Sequence, residues 1–337
     1  MKRFSLVLFA VVIIIVIGVL VLIFTPNKES ESIPSPTTPS IKAVDLTHTP
    51  LVVTLTTSTS TFTPIPTATV TVTPNPEQIA QATLIPTANP SFTVTTRITD
   101  LGIEQVWVPS GSFMAGDQAG IGYDDETPHQ VYTDEFWIDR FLVTNAQFAQ
   151  CPEAICGNPL KTGSHKRPEG YYGVSLFSNY PVIEINWQQA NSFCQWRNAR
   201  LPTEAEYEKA AGWDPSTGAI SIYPWGNNPP NDNLANYNGI DRDTQPVDYY
   251  SDGVSKVGAY DMAGNVWEWT LDWYDKNYYL DNKDWINPSG PVSGDFRVIR
   301  GGSWFSIEPL WLRVSNRGTN RPENAGNEIG FRCVSEN

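Results

Sequence analysis

The chain carries 36 Asp and Glu against 22 Lys and Arg over 337 residues, a formal net charge of −14 at pH 7. A surface that acidic repels phosphate backbones and anionic headgroups, which excludes nucleic acid as a partner and suits cations, calcium in particular. All 12 tryptophans lie beyond residue 99, in a stretch long enough to bury one substantial core.

Lys2 and Arg3 precede an apolar, charge-free run from Phe4 to Phe24. As a helix that run would be about 31 Å long, which matches the hydrocarbon core of a bilayer. It exceeds the about 7–15 residues of a cleavable signal peptide, so residues 1–24 are expected to be an uncleaved transmembrane signal anchor. The basic residues keep the amino terminus in the cytoplasm, and everything beyond the anchor is expected outside it, at a cell membrane. Residues 25–98 are rich in Ser, Thr and Pro, as in Pro34-Ser-Pro-Thr-Thr-Pro39. They hold too little apolar surface to offset conformational entropy, and read as a disordered stalk. Residues 99–337 are expected to form one folded domain.

Within it, Ile103 to Pro109 reads as a strand that enters a turn at Ser110-Gly111. Asp124, Asp125 and Glu126 read as a solvated loop ahead of a second strand, Gln130 to Ile138. Three helix starts carry the same capping box, a side-chain oxygen followed three residues on by Gln or Glu: Thr144 with Gln147, Asn186 with Gln189, and Thr203 with Glu206. On the second of these helices Trp187, Ala190, Phe193, Cys194 and Arg197 share one face, which is expected to meet the core. Past Gly212 the chain becomes irregular through Tyr223-Pro-Trp-Gly226 and Asn236 to Asp243, and a bound metal would order such a stretch. Cys151 and Cys156, five residues apart, are expected to close a local loop. They lack the partners for zinc, since His129 and His165 are the only histidines beyond residue 99. Arg300-Gly-Gly-Ser-Trp304 contains two glycines that permit a tight turn or a close backbone approach. The segment from there to Cys333 reads either as the working face or as a glycine-kinked core strand.

The series Trp107-Val-Pro-Ser-Gly-Ser-Phe113, Thr144-Asn-Ala-Gln-Phe148, Pro181-Val-Ile-Glu-Ile-Asn-Trp187, Arg200-Leu-Pro-Thr-Glu-Ala-Glu-Tyr207, Tyr223-Pro-Trp-Gly226, Gly264-Asn-Val-Trp-Glu-Trp269, Arg300-Gly-Gly-Ser-Trp304 and Gly330-Phe-Arg-Cys333 resembles the sulfatase-modifying factor family, also called formylglycine-generating enzymes. The resemblance runs in order across residues 103 to 334. It implies an α+β, C-type-lectin-like domain with little regular secondary structure. It also implies two structural calcium sites. One would use Asp261, Glu268 and the carbonyls of Gly264 and Val266; the other would use Asn236, the carbonyl of Tyr237, and Asp241 and Asp243. Calcium takes six to eight such oxygens. The resemblance further implies a disulfide between Cys194 and Cys333.

Catalysis in the family depends on two cysteines that bind copper(I) as thiolates, and a soft metal needs soft ligands. Ser306 stands at the first of those positions, and the second falls near Pro309 to Trp311, where no cysteine occurs. No copper is therefore expected. As a nucleophile Ser306 would need a positioned base, and no histidine follows His165. The expected function is binding of a peptide, protein or glycan in the cleft that the resemblance implies, lined here by Trp267, Ser303, Trp304, Ser306, Trp311, Arg313 and Arg317, among which Trp and Arg are the types most enriched at binding hot spots. Two alternatives are an oxidase or related enzyme with an altered site, and a ligand-display protein diversified by a retroelement.

Overall fold

The computed structural model describes residues 92–280 and 285–336. The expected anchor and nearly all of the expected stalk lie outside them. Strand β1, Thr96–Ile98, begins three residues ahead of the expected domain boundary and pairs antiparallel with β2, Glu104–Val108. β3, Gly111–Ala115, follows the turn at Ser110-Gly111 and pairs with β4, His129–Thr133.

The single strand expected from Gln130 to Ile138 is two. β4 stops at Thr133, and β5, Phe136–Asp139, crosses to a different sheet, where it joins β2. Asp134 marks the break: its N–H donates to Asn287 Oδ1 at 2.7 Å, and its carboxylate accepts from Asn287 Nδ2 at 2.8 Å. A partner 153 residues away thus fixes the corner.

All three capping boxes form. Thr144 starts α1, Asn145–Phe148, and after the short α2, Glu153–Cys156, Asn186 starts α3, Trp187–Trp196; Thr203 starts α4, Glu204–Gly212. In each case the cap oxygen accepts the third helical N–H while the Gln or Glu side chain returns to the cap's own N–H. Ala190, Phe193 and Cys194 of α3 are fully buried, among Val182, Ile185, Leu201, Trp269 and Phe331. The remaining strands are β6 (Trp267–Trp273), β7 (Trp285–Ile286), β8 (Arg297–Arg300), β9 (Gly318–Asn320), β10 (Ile329–Gly330) and β11 (Val334–Ser335). They complete sheets of order β1-β2-β5-β11, β10-β6-β8-β9 and β3-β4-β7. From Trp213 to Val266 the described chain holds only isolated bridges and one 3-10 turn, Ser251–Gly253, the irregular stretch the sequence indicated.

Both disulfides are present. Cys194–Cys333 joins α3 to the chain just ahead of β11, and Cys151–Cys156 closes the loop around α2. A polar group also sits in the core: Lys209 of α4 is fully buried, and its Nζ donates to the carbonyls of Pro109 and Gly111 and to Thr133 Oγ1, at 2.8, 2.9 and 2.9 Å. Burial pushes its ammonium down to about 7.

Candidate functional site

β8 ends at Arg300, and the next two residues take backbone angles open to glycine, with φ of 93° at Gly301 and 75° at Gly302. A β-carbon at Gly301 would lie 2.5 Å from the Tyr207 hydroxyl, and one at Gly302 would lie 2.8 Å from Leu312. The turn therefore lets the chain double back against α4. Beyond it Ser306 points inward, and its Oγ accepts the Ser303 N–H at 2.9 Å. Ser303 Oγ in turn donates to Glu328 Oε2 at 3.2 Å, and burial raises that carboxyl's pKa. The Trp304 indole N–H donates to the carbonyl of Asn327 at 3.1 Å, and its ring meets His165 with centroids 5.1 Å apart.

Ser303, Trp304 and Ser306 thus come together as expected, but buried, all three at 3% exposure or less. The outward residues of this segment are Phe305 and Ile307, which flank Ser306 at 59% and 57% exposure. Sequence reasoning passed over both, although alternation about an inward Ser306 carries the signal. It also missed His165, Asn327 and Glu328, which reach the turn from distant segments.

The two arginines expected in the cleft are not available to a ligand. Arg313 is buried and forms a two-point pair with Glu126, at 2.6 and 2.7 Å. Arg317 does the same with Glu204, at 2.8 and 2.9 Å. Arg300, buried beside them, reaches Glu208 at 2.6 Å and the carbonyls of Val314, Ser315 and Asn316. These are charge-assisted, partly bidentate bonds in a dry setting, which hold the turn rather than present it. Glu126, read as part of a solvated loop, is therefore a core residue at 3% exposure. Trp311 is half-buried, with its indole N–H on the Tyr123 hydroxyl at 3.2 Å, and Trp267 is half-buried on β6 against the main core.

The residues expected to hold calcium divide in two. Glu268 and Asp243 do not fit. Glu268 accepts from Arg332 at 2.7 and 2.8 Å and from the Tyr207 hydroxyl at 3.0 Å, so its charge is already balanced. Asp243 accepts from Ser164 and from the N–H groups of Lys166 and Thr244, and forms an ion pair with Arg167. Asn236 and Asp261 fit. Asn236 is fully buried, and its Oδ1 has no hydrogen-bond donor. Asp261 is buried with φ 52°, and burial pushes its carboxyl up to about 7. Asn265 links the two. Its Oδ1 accepts from Asn236 Nδ2 at 3.3 Å, and its Nδ2 donates to Asp261 Oδ2 at 3.0 Å. An orphan acceptor and a buried acid are each groups that a hard cation would complete. Asp241 accepts from the Tyr250 hydroxyl at 2.9 Å, and the Tyr237 carbonyl accepts the Ile240 N–H at 3.2 Å. The Gly264 N–H donates to Gly301, and Val266 is fully buried. Among the described residues no group of three or more His, Cys, Asp or Glu is placed to hold a metal.

Comparison with known proteins agrees with this architecture. Residues 92–337 match the model of the sulfatase-modifying factor enzyme 1-like domain. The formylglycine-generating enzyme of Streptomyces coelicolor is 33% identical over 284 residues, covering 69% of this chain and 89% of that protein. Among solved structures, PvdO from Pseudomonas aeruginosa is 25% identical with a TM-score of 0.57, covering 72% of this chain and 98% of that one. Treponema denticola variable protein 1 is 23% identical with a TM-score of 0.56, covering 73% and 100%, and shares the fold. On its matched segments and the arrangement they adopt, the chain belongs to the sulfatase-modifying factor enzyme 1-like family.

Proposed function

We propose that this protein is a binding module of its family rather than an oxidase: a domain held outside the cytoplasm by the apolar run at residues 4–24, which takes a peptide, protein or glycan beside the Gly301–Gly302 turn. One observation carries the reading. All four cysteines of the chain are joined in two disulfides, and the position where the family has its first catalytic thiol holds Ser306, whose oxygen accepts a backbone N–H. A hydroxyl is a poor ligand for copper(I), and a cystine sulfur is not a thiolate. The two disulfides also favour an oxidising compartment, in line with an exported domain.

The binding surface would be carried by Phe305, Ile307, Trp311 and Trp267, with Ser303, Trp304 and Ser306 as its buried frame. Calcium belongs to the proposal as structural ions at the two implied sites, one at Asn236 and one at Asp261, where it would supply positive charge to a buried carboxylate. A thermal midpoint unmoved by EGTA would remove it. The central test is chemical: the purified full chain is incubated with copper(I), oxygen and a Cys-x-Pro-x-Arg peptide, and the peptide is examined by mass spectrometry. We expect the cysteine to return unchanged; formylglycine in the product would return the protein to the oxidases.

A further inference from the structure

A second feature lies beside Trp304. A surface pocket of about 440 Å³ is lined by Lys161, Thr162, Ser164, Pro168, Glu184 and Asn327. Asn327 is the residue whose carbonyl receives the Trp304 indole N–H, so the pocket adjoins the turn.

Its acidic side chain is Glu184, in a sequence that is otherwise core. Val182, Ile183 and Ile185 are buried at 2% exposure or less. Glu184 takes a left-handed backbone, φ 57°, which is unfavourable for a residue with a β-carbon by about 1–2 kcal/mol. Two backbone bonds hold it there: its N–H donates to Gly326, and its carbonyl accepts from Leu160, both at 2.9 Å. The chain is pinned between two loops, and the carboxylate is placed in the pocket with its side chain only 6% exposed.

The counter-ion is out of proportion to that burial. Glu126, Glu204 and Glu268 each receive a two-point guanidinium at 2.9 Å or less. Glu184 receives a single contact, from Lys161 Nζ at 3.4 Å, and the Lys161 side chain is 74% exposed. A buried carboxylate demands a close cation, whereas a lysine on a flexible stem in solvent is held by about 0–1 kcal/mol. Lys161 is a replaceable occupant.

We propose that Glu184 anchors a pocket for a primary ammonium group carried by a ligand, and that Lys161 keeps the place of that group while the pocket is free. An ammonium fits better than a guanidinium. Lys161 approaches one carboxylate oxygen as a point charge, and a ligand ammonium would take the same single-point place. The inference rests on the binding reading of the turn, to which it adds a charge requirement. A lysine side chain and an amino sugar share this chemistry, and the two are separated by probe.

The test titrates the full chain with N-acetyl-lysine methylamide and its Nε-acetylated counterpart, and with glucosamine and N-acetylglucosamine, by calorimetry. One ammonium probe is expected to bind at least about tenfold more tightly than its acetylated partner, a difference of about 1.4 kcal/mol. Glu184→Gln should abolish that difference. Lys161→Met, a surface change, should tighten binding several-fold, because it removes the internal competitor. Equal binding of charged and acetylated probes overturns the ammonium pocket and leaves the binding reading standing. Binding by none of the four overturns the pocket, while the binding reading keeps its own copper and peptide test. A Lys161→Met variant that binds unchanged or more weakly also overturns it, even should Glu184→Gln fail to fold.

Discussion

On the Arg300 flank of the Gly301–Gly302 turn, guanidinium groups and carboxylates meet in close pairs: Arg300 with Glu208, Arg313 with Glu126, Arg317 with Glu204. On the Trp304 flank, Glu184 has an exposed lysine at 3.4 Å, and Glu328 has a serine hydroxyl at 3.2 Å. The first arrangement consumes its charges in building the turn. The second leaves each carboxylate with one long contact and no guanidinium. Arginines named in advance as ligand contacts proved to be scaffold, so residue type alone does not mark a binding site; the state of the partners does.

The contrast can be broken most sharply at Arg300. Arg300→Leu should destabilise the chain by about 3–5 kcal/mol in urea unfolding, because Glu208 would stay buried with no cation and three carbonyls would lose their donor. A change under about 1 kcal/mol would mean that this flank is not the framework described. Lys209→Met should follow at about 2 kcal/mol, through the unpaired acceptors at Pro109 and Gly111. Lys209 also sets a pH dependence. Its pKa is lowered to about 7 in the folded chain and lies near 10.4 in an unfolded one, so the unfolded state binds the extra proton between them. Stability should therefore rise as pH increases through that window and fall away as pH drops toward about 7. Unfolding curves of the Met variant should lack that rise. Smallest of the three, Glu184→Gln should change stability by less than about 1 kcal/mol, because the one cation it gives up, Lys161, stands in solvent. A loss matching that at Arg300 would place Glu184 with the scaffold and erase the distinction.

What the sequence made legible was local or covalent. A capping box needs four consecutive residues, and Thr144, Asn186 and Thr203 each announced a helix that formed. Both cysteine pairs were expected and are joined. What escaped were pairings across the chain. Nothing near Arg313 signals Glu126, 187 residues earlier, and nothing near Asp134 signals the asparagine that turns the strand there. The resemblance implied Glu268 as a calcium ligand, and nothing near it signals Arg332, 64 residues on, which takes its carboxylate. Phe305 and Ile307 were legible in principle, since their alternation with Ser306 is local; their exposure depends on which way the turn faces.

The Cys194–Cys333 bond spans 139 residues, and both the Gly301–Gly302 turn and Glu328 lie inside that covalent ring. A protease that cuts one peptide bond between those cysteines would leave two fragments still joined through sulfur. Such a nick would show on a reducing gel and not on a non-reducing one. For the exported binding domain proposed above, the ring would make the surface beside the turn tolerant of a first cleavage in any of the long irregular loops around it.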